Sequence, residues 1–226
     1  MIKRILYLSI VLCLLCVSCK KNEKEVDFHL AYYPMENGRF VEYEVTEIYH
    51  DENSGIHDTS NYRLKTVIGD TIIDNSGRVA RKIYRYIFNT QTNEYVVKDL
   101  WTGLIDQYRF ELVEENQRLI KLVFSPTLNK EWDMNAFNSF DPIYAYYENL
   151  HKAVSFGQLD FDSTITVVEE IMEPNLIEYR RKTEVYAKNV GLVSKYYKDL
   201  TISDFDTLQV KRGTELYYTV IGFGVE

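Results

Sequence analysis

From residue 31 onward, apolar and polar side chains alternate with period two, interrupted at short intervals by Gly, Asn, Asp and Ser. Phe40 to His50 is the clearest stretch. Val41, Tyr43, Val45 and Tyr49 share one face, and Glu42, Glu44 and Thr46 share the other. The same pattern predicts strands over 62–68, 79–88, 94–101, 108–113, 118–124, 159–169, 176–187, 192–197 and 216–225, with a short one over 71–74. Turns are expected at Asp51-Glu52-Asn53-Ser54-Gly55, Gly69-Asp70, Asn75-Ser76-Gly77, 89–93, Thr102-Gly103 and Glu114-Glu115-Asn116-Gln117. One stretch reads differently. Asp141-Pro142 looks like an N-cap followed by proline at the first helical position, and Ile143, Tyr146, Tyr147 and Leu150 recur at helical spacing. A short helix over 142–152 is therefore predicted.

No linker and no repeat of domain-building length divides this body. The expected fold is mainly β: a single domain over residues 31–226, with one antiparallel meandering sheet curled into a barrel, half-barrel or sandwich. Strands do not alternate with helices, which argues against doubly wound and α/β-barrel architectures.

The first residues depart from the alternation. Met1-Ile2-Lys3-Arg4 precedes an apolar run from Ile5 to Val17, then Ser18-Cys19-Lys20. Two cations before a short apolar run make a secretory signal, and the run is too short to span a bilayer, which takes roughly 20 residues. Residues 1–18 thus form the expected signal peptide. Residues 19–30 form a polar tether that includes Lys20-Lys21-Asn22-Glu23-Lys24-Glu25.

All three cysteines, Cys13, Cys16 and Cys19, fall in this region, so the body holds no disulfide scaffold, thiol nucleophile or cysteine zinc site. Their CxxC spacing sits in a hydrophobic signal with no histidine nearby, and carries no metal. The chain has 34 acidic and 26 basic side chains, net −8; losing Lys3 and Arg4 leaves 24 basic and net −10. Such an acidic body argues against nucleic-acid partners.

The segment around Cys19 resembles a bacterial lipoprotein signal: a small residue, Ser18, stands directly before the cysteine, although Cys16 occupies a place where Leu is usual. That resemblance implies diacylglycerol on the Cys19 sulfur, cleavage before it and acylation of the new amine, giving a durable membrane anchor. It also implies a cell-envelope location, with the outer membrane compatible with Lys20 after the cysteine. Tyr32-Tyr33-Pro34-Met35-Glu36-Asn37-Gly38-Arg39-Phe40-Val41-Glu42-Tyr43 resembles an opening common in uncharacterised Bacteroidetes lipoproteins. Glu184-Val185-Tyr186-Ala187-Lys188-Asn189-Val190-Gly191-Leu192-Val193 resembles a hairpin of envelope β-proteins, with Asn189 where Gly is usual. Some proteins with such hairpins resemble the LolA-like incomplete barrel, which cradles acyl chains.

Sequence chemistry is sparse. There is no G-x-S-x-G, H-E-x-x-H, P-loop or dinucleotide fingerprint, and no cofactor is implied. His50 and His57 flank the first turn beside Asp51, Glu52 and Asp58; they read either as a divalent-metal pair or as a solvated polar loop, and the loop is preferred, leaving no metal site assigned. His29 and His151 read as surface residues. Asp160 with Asp162 and Glu169 with Glu170 offer paired carboxylates for acid–base work or simply wet strand faces. Asp204 with Asp206, and the Asp74 turn, resemble fragments of calcium loops without enough ligands. Asp70-Thr71-Ile72, Asp162-Ser163-Thr164 and Asp206-Thr207-Leu208 match a short O-glycosylation pattern of exported Bacteroidetes proteins. The chain carries 19 Tyr, which read as cross-strand packing or as the lining of a ligand cavity.

The expected function is a non-enzymatic binding or assembly module, anchored to the envelope membrane through Cys19, with an envelope protein or hydrophobic ligand as partner. Two alternatives stand beside it: a carrier or sensor of an acyl chain in a half-barrel cavity, and a hydrolase with an unrecognised carboxylate site.

Overall fold

Period-two alternation becomes almost the whole architecture. The computed structural model describes residues 26–226, and these form twelve strands: β1 (Arg39–Asp51), β2 (Ile56–Ile73), β3 (Val79–Asn89), β4 (Glu94–Ile105), β5 (Arg109–Glu114), β6 (Gln117–Val123), β7 (Glu131–Asp133), β8 (Tyr144–Phe156), β9 (Leu159–Met172), β10 (Glu178–Ala187), β11 (Gly191–Ser203) and β12 (Asp206–Val225). They make one antiparallel sheet in the order β6-β5-β4-β3-β2-β1-β12-β11-β10-β9-β8-β7, nearly closed into a barrel. This is a continuous meander whose first and last strands pair, so among the described residues the seam lies between β6 and β7.

Side chains draw that seam together. The Ile120 N–H donates to the Met134 carbonyl at 2.9 Å, and the Trp132 indole N–H donates to the Ile120 carbonyl at 2.8 Å. The Tyr147 hydroxyl, itself buried, accepts from the Val123 N–H and donates to its carbonyl, both at 2.8 Å. Unpaired edge groups of β6 thus find partners, as buried backbone groups must.

Strands alternate in direction, so hairpins gather at two ends. The near end holds the start of β1, the end of β12 and the β10–β11 turn. Here a single 3₁₀ turn, Leu30–Tyr32, plugs the barrel. Tyr32 is fully buried, Tyr33 stacks on Phe110 with ring centroids 3.8 Å apart, and the Asn189 N–H donates to the Ala31 carbonyl at 2.7 Å. The Tyr32-Tyr33-Pro34 opening is therefore a stopper, and its contacts reach back to Asp27, which lies 3.5 Å from Lys188. The hairpin at Lys188–Val190 forms with Asn189 at φ 64°, a left-handed conformation that Asn tolerates. The far end holds the β1–β2, β3–β4, β5–β6, β7–β8, β9–β10 and β11–β12 connections.

Three local expectations change. Residues 142–152 form no helix; they lie in and before β8. Ala145 and Tyr147 are buried while Tyr144 and Glu148 are exposed, a period of two that outweighs the Ile143/Tyr146/Tyr147/Leu150 spacing because Ala145 pairs with Trp132 on β7 and Tyr147 fills the seam. Gly69-Asp70 is not a turn but an irregularity inside β2, whose register shifts between Ile68 and Thr71; a Cβ at Gly69 would lie 2.5 Å from the Tyr84 ring. Gly103 likewise sits within β4, where a Cβ would lie 2.9 Å from Ile83 Cδ1. These glycines admit neighbouring rings and methyls rather than bending the chain.

Candidate functional site

At the far end a cleft of about 980 Å³ opens beside the seam. One wall is the β7–β8 loop with the start of β8, which presents Phe140, Pro142, Ile143, Tyr144 and Tyr146. Phe140 and Tyr144 are more than half exposed, large apolar surface left uncovered at the rim. The opposite wall, from β9 and β10, presents Glu170, Arg180 and Lys182. Arg180 donates to Glu170 at 3.2 Å, and Lys182 Nζ lies 3.0 Å from Glu170 and 3.1 Å from Asp199.

The floor is a set of charges inside the barrel. Lys121 on β6 reaches across to Glu169 on β9 and to Glu184 on β10, the latter at 2.9 Å. Lys195 on β11 lies 3.3 Å from Glu184. The Tyr186 hydroxyl donates to Glu184 at 2.5 Å, and the Tyr197 hydroxyl donates to Glu169. Glu169 owes its inward position to a bulge: Lys182 pairs with Glu170 and Thr183 with Val168, leaving Glu169 as the extra residue. Lys121, Glu169 and Glu184 are all less than 8% exposed.

Electrostatics split the two carboxyls. Burial raises the Glu169 pKa, and the negative Glu184 raises it further, against the pull of Lys121. Burial opposes ionisation of Glu184 too, but Lys121, Lys195 and the Tyr186 hydroxyl overcome it and hold its pKa well below the usual range. Burial also opposes the Lys121 charge, yet Glu169 and Glu184 together keep it firmly protonated. The group is a closed network with every carboxylate oxygen engaged. Below it the interior is nearly filled: a residual space of about 40 Å³ is lined by Tyr43, Arg85, Trp101, Glu184, Lys195 and Tyr218, among others. Arg85 donates to Asp99 at 3.0 Å and to the Tyr218 hydroxyl at 3.2 Å, with its guanidinium 3.7 Å over the Trp101 ring.

Glu169 and Glu170, paired in the sequence, part company: one is in the floor and one in the wall. Asp160 and Asp162 are exposed, the wet-face reading, and Asp160 accepts from Ser155 at 2.5 Å. Asp74 accepts from the Ser76 and Arg78 N–H groups, and Asp206 from the Leu208 N–H, so both acidic fragments serve as turn caps. His29 and His151, expected as separate surface residues, meet with ring centroids 4.8 Å apart; the Tyr32 hydroxyl lies 2.7 Å from both His151 Nδ1 and Ser163 Oγ. Of the hydroxyls in the glycosylation pattern, Thr71 is exposed, Thr207 half-buried, and Ser163 committed to Tyr32. Cys19 and the signal segment lie outside the described residues.

Lys121, Glu184 and Lys195 were not singled out by sequence. The available signal was Lys121 itself, a cation inside the apolar run Leu119-Ile120-Lys121-Leu122. Among the described residues no three His, Cys, Asp or Glu side chains converge on a metal position, and no helix is long and apolar enough to cross a membrane. Comparison with protein-family models, with curated proteins and with solved structures finds no match for this chain.

Proposed function

We propose that the protein is a non-enzymatic binding module of the cell envelope, anchored through a lipid on Cys19, and that the far-end cleft is the surface that holds its partner. The observation that carries this reading is the pairing, in one concavity, of uncovered aromatic surface at Phe140 and Tyr144 with cations and carboxylates at Arg180, Lys182 and Glu170. Recognition surfaces combine apolar anchors with a few placed polar groups in this way.

Two features weigh against the alternatives. An acyl carrier needs an open apolar interior, whereas the space below the floor is about 40 Å³ and ion pairs cross the barrel above it. A carboxylate hydrolase needs a carboxyl group free to reach substrate; Glu169 has the raised pKa expected of an acid, but Lys121 and Tyr197 occupy both its oxygens.

The test has two arms. Cells labelled with palmitate should mark the wild type and not Cys19→Ala; equal label in both refutes the anchor. Pull-down from envelope extracts should recover a partner with the wild type and lose it with Phe140→Ser/Tyr144→Ser, two exposed positions. Recovery of nothing, or of the same set by both proteins, refutes the cleft.

A further inference from the structure

On the outer face of the barrel, away from the cleft, the antiparallel register sets His50 on β1 directly opposite His57 on β2. The two Nδ1 atoms lie 2.9 Å apart and the ring planes are inclined at 58°. His50 is buried, at 5% exposure, and His57 is exposed, so the pair is open to solvent on one side only. On its other flank His50 pairs with Gly213 on β12, where a Cβ would lie 2.1 Å from the Asp199 carbonyl oxygen on β11.

The far nitrogen of His50 fixes its tautomer. Nε2 lies 2.9 Å from Glu215 Oε1. Glu215 also accepts from the Tyr217 hydroxyl and lies 2.8 Å from Lys198 Nζ, donors on its other side. A carboxylate has no proton to give, so Nε2 carries the hydrogen and Nδ1 keeps its lone pair, aimed at His57. A carboxylate behind a histidine is the usual outer-shell partner of a metal-binding imidazole, orienting the ring and raising its basicity. His57, on the exposed side of the hairpin, then donates from Nδ1 to the His50 lone pair, and transfer of its proton to solvent or to its own Nε2 frees a second lone pair beside the first.

We infer that His50 and His57 form a two-nitrogen site for a divalent late-transition-metal ion, copper(II) foremost, with water in the remaining positions. A metal ion would take the place of the shared proton, and the present separation is compatible with one geometry without rearrangement. Two nitrogens 2.9 Å apart, each about 2.0–2.1 Å from a metal, subtend roughly 90° at it. That is the angle between neighbouring ligands in square-planar or tetragonal coordination, which copper(II) and nickel(II) favour. A tetrahedral ion would need the nitrogens about 0.4 Å further apart. No third protein ligand is present among the described residues, which makes this an open, exchangeable site rather than a structural one.

The experiment uses the full chain in detergent, purified without a polyhistidine tag, with copper(II) added below stoichiometry and read by electron paramagnetic resonance. The wild type should give an axial spectrum with splitting from two imidazole nitrogens. His57→Ala, an exposed position whose thermal melt should be unchanged, should show one. His151→Ala, which alters the other histidine pair, should retain two. Two nitrogens persisting in His57→Ala, fewer than two in the wild type, or their loss in His151→Ala would each overturn the assignment.

Discussion

Lys121 is the residue whose removal reports most directly on the buried network. In Lys121→Met the apolar volume is kept and the charge is lost, while Lys195 stays 3.3 Å from Glu184. Glu184 therefore keeps a contacting cation, and Glu169 keeps only the Tyr197 hydroxyl. Its pKa is already raised by burial and by Glu184, with Lys121 the leading opposing charge. Without Lys121 the folded protein holds Glu169 as a neutral acid, whereas in the unfolded chain Glu169 titrates near its ordinary 4.5. At pH 7 the cost of that bound proton is about 3.4 kcal/mol, from about 1.4 kcal/mol per pH unit above 4.5, an upper bound on the deficit against a wild type whose own Glu169 pKa is already raised. This lies within the roughly 3–5 kcal/mol typical of a broken buried ion pair. The sign follows from proton counting: the folded variant binds one proton more than the unfolded chain, so its deficit grows with pH and shrinks to about 0.7 kcal/mol at pH 5. In thermal melts followed by circular dichroism the variant should lose about 7–14 °C at pH 7, and only a small fraction of that at pH 5. A deficit that does not change between pH 5 and pH 7, or one below about 1 kcal/mol at pH 7, would refute the reasoning.

Two further perturbations test other parts of the fold. Glu111 is buried, but hydrogen bonds from Arg78, Arg109 and Arg118 outweigh that burial and hold its pKa down to about 2. Its contribution is complete above pH 4.5 and lost as pH falls toward 2, so urea midpoints of Glu111→Gln should lie below the wild type at neutral pH and converge with it in acid. Parallel curves would contradict this. Tyr147→Phe strips partners from both the Val123 N–H and its carbonyl and should cost about 1–3 kcal/mol, with faster hydrogen exchange confined to β6 and β7; unchanged exchange at Val123 would mean the seam is held by other contacts.

Sheet and meander were legible because one face of almost every strand is buried, and burial writes itself into a period of two. The failures have a common cause in tertiary packing. Gly69 and Gly103 look like turns locally, yet each is glycine because a side chain from a neighbouring strand occupies the place of its Cβ. Residues 142–152 fit a helical template only if Ala145 is ignored, and Ala145 is the residue that seats against Trp132. His50 and His57 were readable as a pair because a hairpin register is local. Lys121, Glu169 and Glu184 were not, since β6 meets β9 and β10 only once the barrel wraps round. The bulge that turns Glu169 inward has no sequence mark of its own.

Strand parity connects the anchor to the cleft. The chain enters at the end plugged by Tyr32 and Tyr33, where Asp27 meets Lys188 beside the β10–β11 turn. The cleft is lined by the last residues of β9 and the first of β10, at the opposite end. The ten residues of β10, at about 3.3 Å each, separate those ends by roughly 30 Å. On the proposed reading a lipid on Cys19 would join the barrel at the near end, and the cleft would open at the other. An acyl chain approaching the near end would find Tyr33 stacked on Phe110 rather than an opening. A partner approaching the far end would instead meet Phe140, Tyr144, Arg180 and Lys182 directly. His50 and His57, beside the β1–β2 turn, stand at the same far end, on the barrel's outer face.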